Sequence, residues 1–121
     1  MNGTTRRLRF LVIGPASFLK ERTRVFWADA SMDLLGPLAA TDFAASIPAE
    51  GVDGAIIDIR YEADILLQVI EYLQARQIPA LLASPMSLTT YLTGGFVLSR
   101  NADDMAAIVR HLVREKNPTL H

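Results

Sequence analysis

Ala55-Ile56-Ile57 is a short, wholly apolar run with two β-branched residues, set between Asp53-Gly54 and Asp58. The Asp-Gly pair is a turn signal, and the run after it reads as a strand buried in the core. Leu8 to Ile13 holds a second such run, closed by Gly14-Pro15. Strands with no polar face must be covered on both sides, which is the condition of a parallel sheet sandwiched by helices. The segments between the runs change to helical period, and strands alternating with helices predict a doubly wound parallel α/β sheet.

In chain order, Ser17 is a candidate N-cap for a helix to about Ala30. Its inner face would be Leu19, Thr23, Phe26, Trp27 and Ala30, with Lys20, Arg22 and Arg24 solvated on the other. Leu34 to Ala40 reads as a second strand, and Gly36-Pro37 within it places that strand at the border of the sheet. Thr41 then caps a short helix, Asp42 to Ser46, ended by Pro48. After the Ala55–Ile57 strand, a helix is predicted from Ala63 to about Gln77, with Ile65, Leu66, Val69, Ile70 and Leu73 as its stripe. Ala80 to Ala83 is a fourth strand, stopped at Ser84-Pro85. Met86 to Gly95 has little helical period and reads as a loop with at most one or two helical turns. Phe96 to Leu98 is a fifth strand. A last helix, capped by Asn101 or Asp103, runs to about Glu115 and turns Met105, Ile108, Val109 and Leu112 inward.

The chain has 121 residues, enough for one domain and one core, here expected over about 8–113 of 1–121. The net charge is -1, so no basic field favours nucleic acid or an anionic membrane surface. Cysteine is absent, which removes disulfides, thiolate catalysis and most zinc sites and fits a reducing cytoplasm. No apolar run approaches the roughly 18 residues of a spanning helix.

Ligand chemistry in an open parallel sheet belongs outside the carboxyl ends of the strands. Asp58 stands there, as a functional group or as an acid that caps the next turn or pairs with Arg60 or Arg100. Ser84 closes the fourth strand, as a turn residue or a binding one. Arg100 reads as solvated or paired with Asp103 or Asp104. Trp27 has core spacing. His111 and His121 have no neighbouring carboxylate–serine pattern that would make a catalytic dyad. Gly14-Pro15-Ala16-Ser17 has only weak features of an anion cradle and lacks the dinucleotide-binding spacing.

Asp53-Gly54-Ala55-Ile56-Ile57-Asp58-Ile59-Arg60, Leu35-Gly36-Pro37 and Arg76-Gln77-Ile78-Pro79-Ala80-Leu81-Leu82 together resemble a stand-alone response-regulator receiver domain. The resemblance spans Leu8 to Val113. It implies a flavodoxin-like five-stranded parallel sheet in the order 2-1-3-4-5, here with a shortened or missing fourth helix. By it, Asp58 matches the phosphoacceptor, Ser84 the residue that bonds the phosphoryl group, and the Arg60 backbone carbonyl a Mg²⁺ ligand beside Asp58. The family's acidic pair falls on Gly14 and Pro15, which have no ligating side chains. The fifth-strand lysine is absent and Arg100 is the nearest cation, with a donor geometry unlike that of an ammonium group.

The resemblance therefore implies a degenerate receiver: no enzyme, no resident cofactor, and signalling in a two-component or phosphorelay system by protein contact. Its partners would be a histidine kinase, a phosphotransferase or another signalling protein. A homodimer would form through the fifth strand and last helix, around Tyr91, Leu92 and Phe96. The alternatives are a working phosphoacceptor at Asp58 with an unusual Mg²⁺ site, and a small-molecule or nucleotide binder in the crevice around Gly14, Asp58 and Ser84.

Overall fold

A computed structural model describes residues 7–49, 51–85 and 96–116. Five parallel strands form one sheet in the order β2-β1-β3-β4-β5: β1 Leu8–Ile13, β2 Met32–Leu38, β3 Gly54–Asp58, β4 Ala80–Ser84 and β5 Phe96–Val97. Among the described residues three α-helices accompany them, α1 Glu21–Asp29, α2 Ala63–Ala75 and α3 Ala102–Lys116, with a 3₁₀ turn at Phe43–Ser46. This is the architecture and strand order expected from the sequence. The segment 86–95, which bears on the fourth helix and includes Tyr91 and Leu92, lies outside the described residues.

Alternation along the central strands divides the core in two, as the pleat requires. Phe10, Val12 and Ile56 point to one face, where Phe18, Leu19, Trp27, Ile108 and Leu112 bury them from α1, the turn before it, and α3. Leu11, Ile13, Ala55 and Ile57 point to the other, covered by Phe43, Val69, Leu73 and Ile78. Trp27 is fully buried, meets Phe10 edge to face at 6.0 Å, and donates its indole N–H to the Ser99 carbonyl at 3.2 Å. It thereby ties α1 to the segment after β5.

Asp53, expected only as half of a turn signal, is a buried link between β1 and β3. Its Oδ2 accepts the Arg9 amide at 2.8 Å, its own amide donates to the Arg9 carbonyl at 2.7 Å, and the Arg9 guanidinium donates to the Gly51 carbonyl. An unpaired amide buried at that strand edge would cost about 1–3 kcal/mol.

α1 begins later than predicted. Phe18 donates its amide to the Pro15 carbonyl and closes a turn, and the helix starts at Glu21 with Lys20 at its N-cap position and no side-chain cap. Phe18 and Leu19 are thus delivered to the core from a turn, while Ala30 at the far end is exposed. At α3, Asn101 is the capping residue, its Oδ1 accepting the amides of Asp103 and Asp104 at 2.8 and 3.2 Å.

β2 lies at the border, as its proline predicts, although it occupies 32–38 rather than 34–40. Its pairing with β1 slips between Leu11↔Leu35 and Ile13↔Leu38, so an extra residue is accommodated at Gly36-Pro37. Gly36 has φ +144°, and a Cβ there would run into the Val12 carbonyl oxygen, so only glycine fits. Before the slip, the Ser31 carbonyl accepts from Leu8; after it, the Leu38 carbonyl accepts from Gly14. By alternation the Leu34 and Gly36 carbonyls point away from β1, to the free edge. Arg24 reaches both, at 3.0 and 2.7 Å, and pairs with Glu21. The expectation that Arg24 is simply solvated is corrected here: unmet carbonyls on β2 draw it along the sheet edge.

Near the amino end of β2, Arg7 forks onto Asp33 and also donates to the Ala28 carbonyl. These hydrogen bonds hold the Asp33 carboxyl below its ordinary range and raise the Arg7 guanidinium. Both side chains are open to solvent, so the pair positions the strand more than it stabilises it.

Candidate functional site

The carboxyl ends of the strands bring Gly14, Asp58, Ser84 and the segment after β5 to one rim of the sheet. Asp58 is the last residue of β3, in register with Ala83 of β4, and Ser84 is one residue further along. The Ile59 amide donates to the Ala83 carbonyl, and the Leu98 amide to the Ser84 carbonyl, which fixes the three strand ends against one another. Asp58 is only 1% exposed. Ser84 is likewise buried.

The Asp58 carboxylate is fully engaged by Arg60. Oδ1 accepts the Arg60 amide at 2.9 Å and Nε at 3.0 Å; Oδ2 accepts Nη2 at 2.7 Å and Nε at 3.1 Å. The carboxylate is enclosed while half of the arginine side chain remains in solvent. Hydrogen bonding to Asp58 raises the Arg60 guanidinium above its ordinary value against some desolvation. Of the readings open to Asp58 in the sequence, two are formed together: Oδ1 caps the next turn through the Arg60 amide, and the guanidinium makes the ion pair. The spacing is legible afterwards: residues i and i+2 around a strand-end turn allow a guanidinium fork to fold back on the carboxylate.

At the end of β1, Gly14 donates to the Leu38 carbonyl. The space a side chain would take at Gly14 is filled by Phe18, whose atoms would lie 2.6–2.8 Å from a Cβ. Residues 14–17 therefore belong to an exposed turn anchored by Phe18 over Gly14, ahead of a helix that starts only at Glu21. Arg100 is exposed and borders a shallow depression with Glu21, Arg22 and Asp29 of α1. Neither acid expected to pair with it does so; Asp104 instead accepts the Ser99 hydroxyl at 2.9 Å. Phe96 is half-buried against the His111 ring, 5.1 Å away, so the histidine packs rather than joining a dyad.

A Mg²⁺ ion needs several oxygen ligands in near-octahedral array. The side chains here do not suit it. Gly14 and Pro15 offer no carboxylate, both Asp58 oxygens are taken by a cation, and among the described residues no three His, Cys, Asp or Glu side chains gather.

Strand order and the covering of both sheet faces define a flavodoxin-like, doubly wound α/β fold, with an acid at the end of the third strand. The chain is similar to the solution structure of the apo receiver domain of nitrogen regulatory protein C, with a TM-score of 0.57 over 96% of this chain and 98% of that one. Sequence identity is 17%, so the likeness is one of fold. No protein-family model matches the sequence, and no curated protein matches it.

Proposed function

We propose that this receiver-fold domain is a signalling module that works through protein contacts, with Asp58 held in an internal ion pair rather than used as a phosphoacceptor. The observation that carries the reading is the Arg60 fork on both carboxylate oxygens. An attacking carboxylate needs a free oxygen in line with the phosphoryl donor and a metal to offset charge on the equatorial oxygens. Here a guanidinium offsets the charge of the carboxylate itself, and the positions that would bring metal ligands are Gly14 and Pro15.

Intact mass after incubation with acetyl phosphate, with and without Mg²⁺, tests this on the native chain and on Asp58→Asn. The expected result is no magnesium-dependent phosphoryl adduct. An adduct on the native chain that disappears in Asp58→Asn overturns the reading and makes the domain a working phosphoacceptor fed by a histidine kinase or phosphotransferase.

The face formed by β5 and α3 is the proposed contact surface, for a second copy or for another signalling protein. On α3 itself, Val113 is a large apolar side chain 42% exposed beside a groove that Met32, Met105 and Val109 also line, on the side of the helix turned toward β2. Native mass spectrometry should show a dimer at micromolar concentrations; monomer throughout counts against self-association.

A further inference from the structure

Among the described residues the two faces of the sheet are roofed unequally. α1 and α3 cover one, whereas among the described residues the other has α2 and the four-residue 3₁₀ turn Phe43–Ser46. At about 2 Å per residue such a turn spans roughly 8 Å, far short of a crossover helix of three turns. Phe43 is the one residue of that turn buried in the core. Between the turn and α2 an open-mouthed cavity of about 620 Å³ remains, lined by Thr41, Phe43, Tyr61, Gln68, Val69 and Tyr72 together with Ile65 and alanines.

Its size falls within the roughly 300–1,000 Å³ of small-molecule sites. Its walls are held in place: Phe43 and Tyr72 meet edge to face at 5.3 Å, and the Arg76 guanidinium lies 3.7 Å over the Tyr72 ring. Polar groups are few. Thr41 donates its hydroxyl proton to Asp42 at 3.3 Å, which leaves the oxygen lone pairs as acceptors, and Tyr61 and Gln68 add a hydroxyl and an amide. No lining residue is charged, and the Arg76 guanidinium lies against the Tyr72 ring, so the lining itself offers a carboxylate or ammonium ligand no counter-charge. We infer that this cavity binds an uncharged aromatic small molecule carrying one or two hydrogen-bonding groups. The site is separate from the strand-end crevice, although Tyr61 joins the two: its amide faces the Asp58 carbonyl at 3.4 Å.

Titration of the ¹⁵N-labelled chain with indole, benzamide and benzoate, followed by amide chemical shifts, tests the inference. Indole and benzamide should saturably shift Thr41, Phe43, Tyr61, Gln68 and Tyr72, with affinities on the order of millimolar for ligands so small. Benzoate should bind at least about tenfold more weakly, a difference of about 1.4 kcal/mol. Ala44→Phe and Gln68→Trp, at exposed positions on the lining, should fill the cavity and weaken benzamide by a similar factor while melting as the native chain does. Ala106→Phe, in the α3 groove, should leave binding unchanged. The inference is overturned by saturable binding that survives both filling variants, by shifts centred on Met105 and Val109, by no shift from either neutral probe, or by benzoate binding as tightly as benzamide.

Discussion

Trp27→Ala is expected to cost about 3–5 kcal/mol of folding stability, a large part of the roughly 5–15 kcal/mol available to a domain. The indole is fully buried, so truncation opens a cavity against Phe10 that its neighbours can close only in part. It also strands the Ser99 carbonyl, which now accepts the indole N–H at 3.2 Å. Urea denaturation of Trp27→Ala and Trp27→Phe separates these contributions. The phenyl ring keeps most of the packing and loses the hydrogen bond, so about 1–2 kcal/mol should go with it. Should Trp27→Ala fail to fold, the phenylalanine variant still reads the hydrogen bond to Ser99. A loss below about 1 kcal/mol in Trp27→Ala would mean that α1 is not anchored through this residue.

The second large effect is at Arg60. Arg60→Ala removes the guanidinium from a carboxylate that is 1% exposed in the native chain and leaves it, among the described residues, with the residue-60 amide, and a loss of about 2–3 kcal/mol is expected. Removing the acid is milder, because Asp58→Asn keeps the shape and an oxygen for that amide, while the half-exposed guanidinium is released to water. In the Asp58→Asn background, Arg60→Ala should therefore cost little, and the cycle should return a coupling energy of about 1.5–2 kcal/mol. Urea rather than guanidinium chloride is the proper denaturant, since the latter screens the pair. Arg7→Ala breaks a fork of the same kind in open solvent and should barely move the melt. Additive losses at 58 and 60 would show that the fork contributes nothing beyond its separate residues, and would remove the ground for treating Asp58 as structural.

Elements whose identity rests on their own residues were legible in the sequence. Ala55–Ile57 and the run ending at Ile13 announce buried strands because nothing in them tolerates water, and Pro37 places its strand at the border because proline cannot donate. The stripe from Ile65 to Leu73 is likewise complete within one helix. Features that depend on distant partners were not. Ser17 looks like a cap, but Phe18 packs into the space left by Gly14 and the helix is postponed. Asp53 looks like a turn residue because its acceptor role depends on an amide 44 positions away. The Arg24 contacts depend on carbonyls left open because β2 is the border strand of the sheet. At the candidate site, Asp58 and its arginine partner are two residues apart and could be named together. The cavity beside α2 could not, because it reflects the small size of the 3₁₀ turn more than any residue that lines it.

The cover that Arg24 gives β2 bears on how this domain can associate. An unpaired strand edge is a template on which another chain can add a strand, by main-chain pairing that is indifferent to sequence. On β2 two of the outward carbonyls are already occupied by a guanidinium, Pro37 has no amide to offer, and the slip at Gly36-Pro37 bends the strand away from a straight register. Recruitment along this border is hindered for amyloid-like stacking and for strand-donating partners alike, so recognition at this border falls to side chains, where it can be selective.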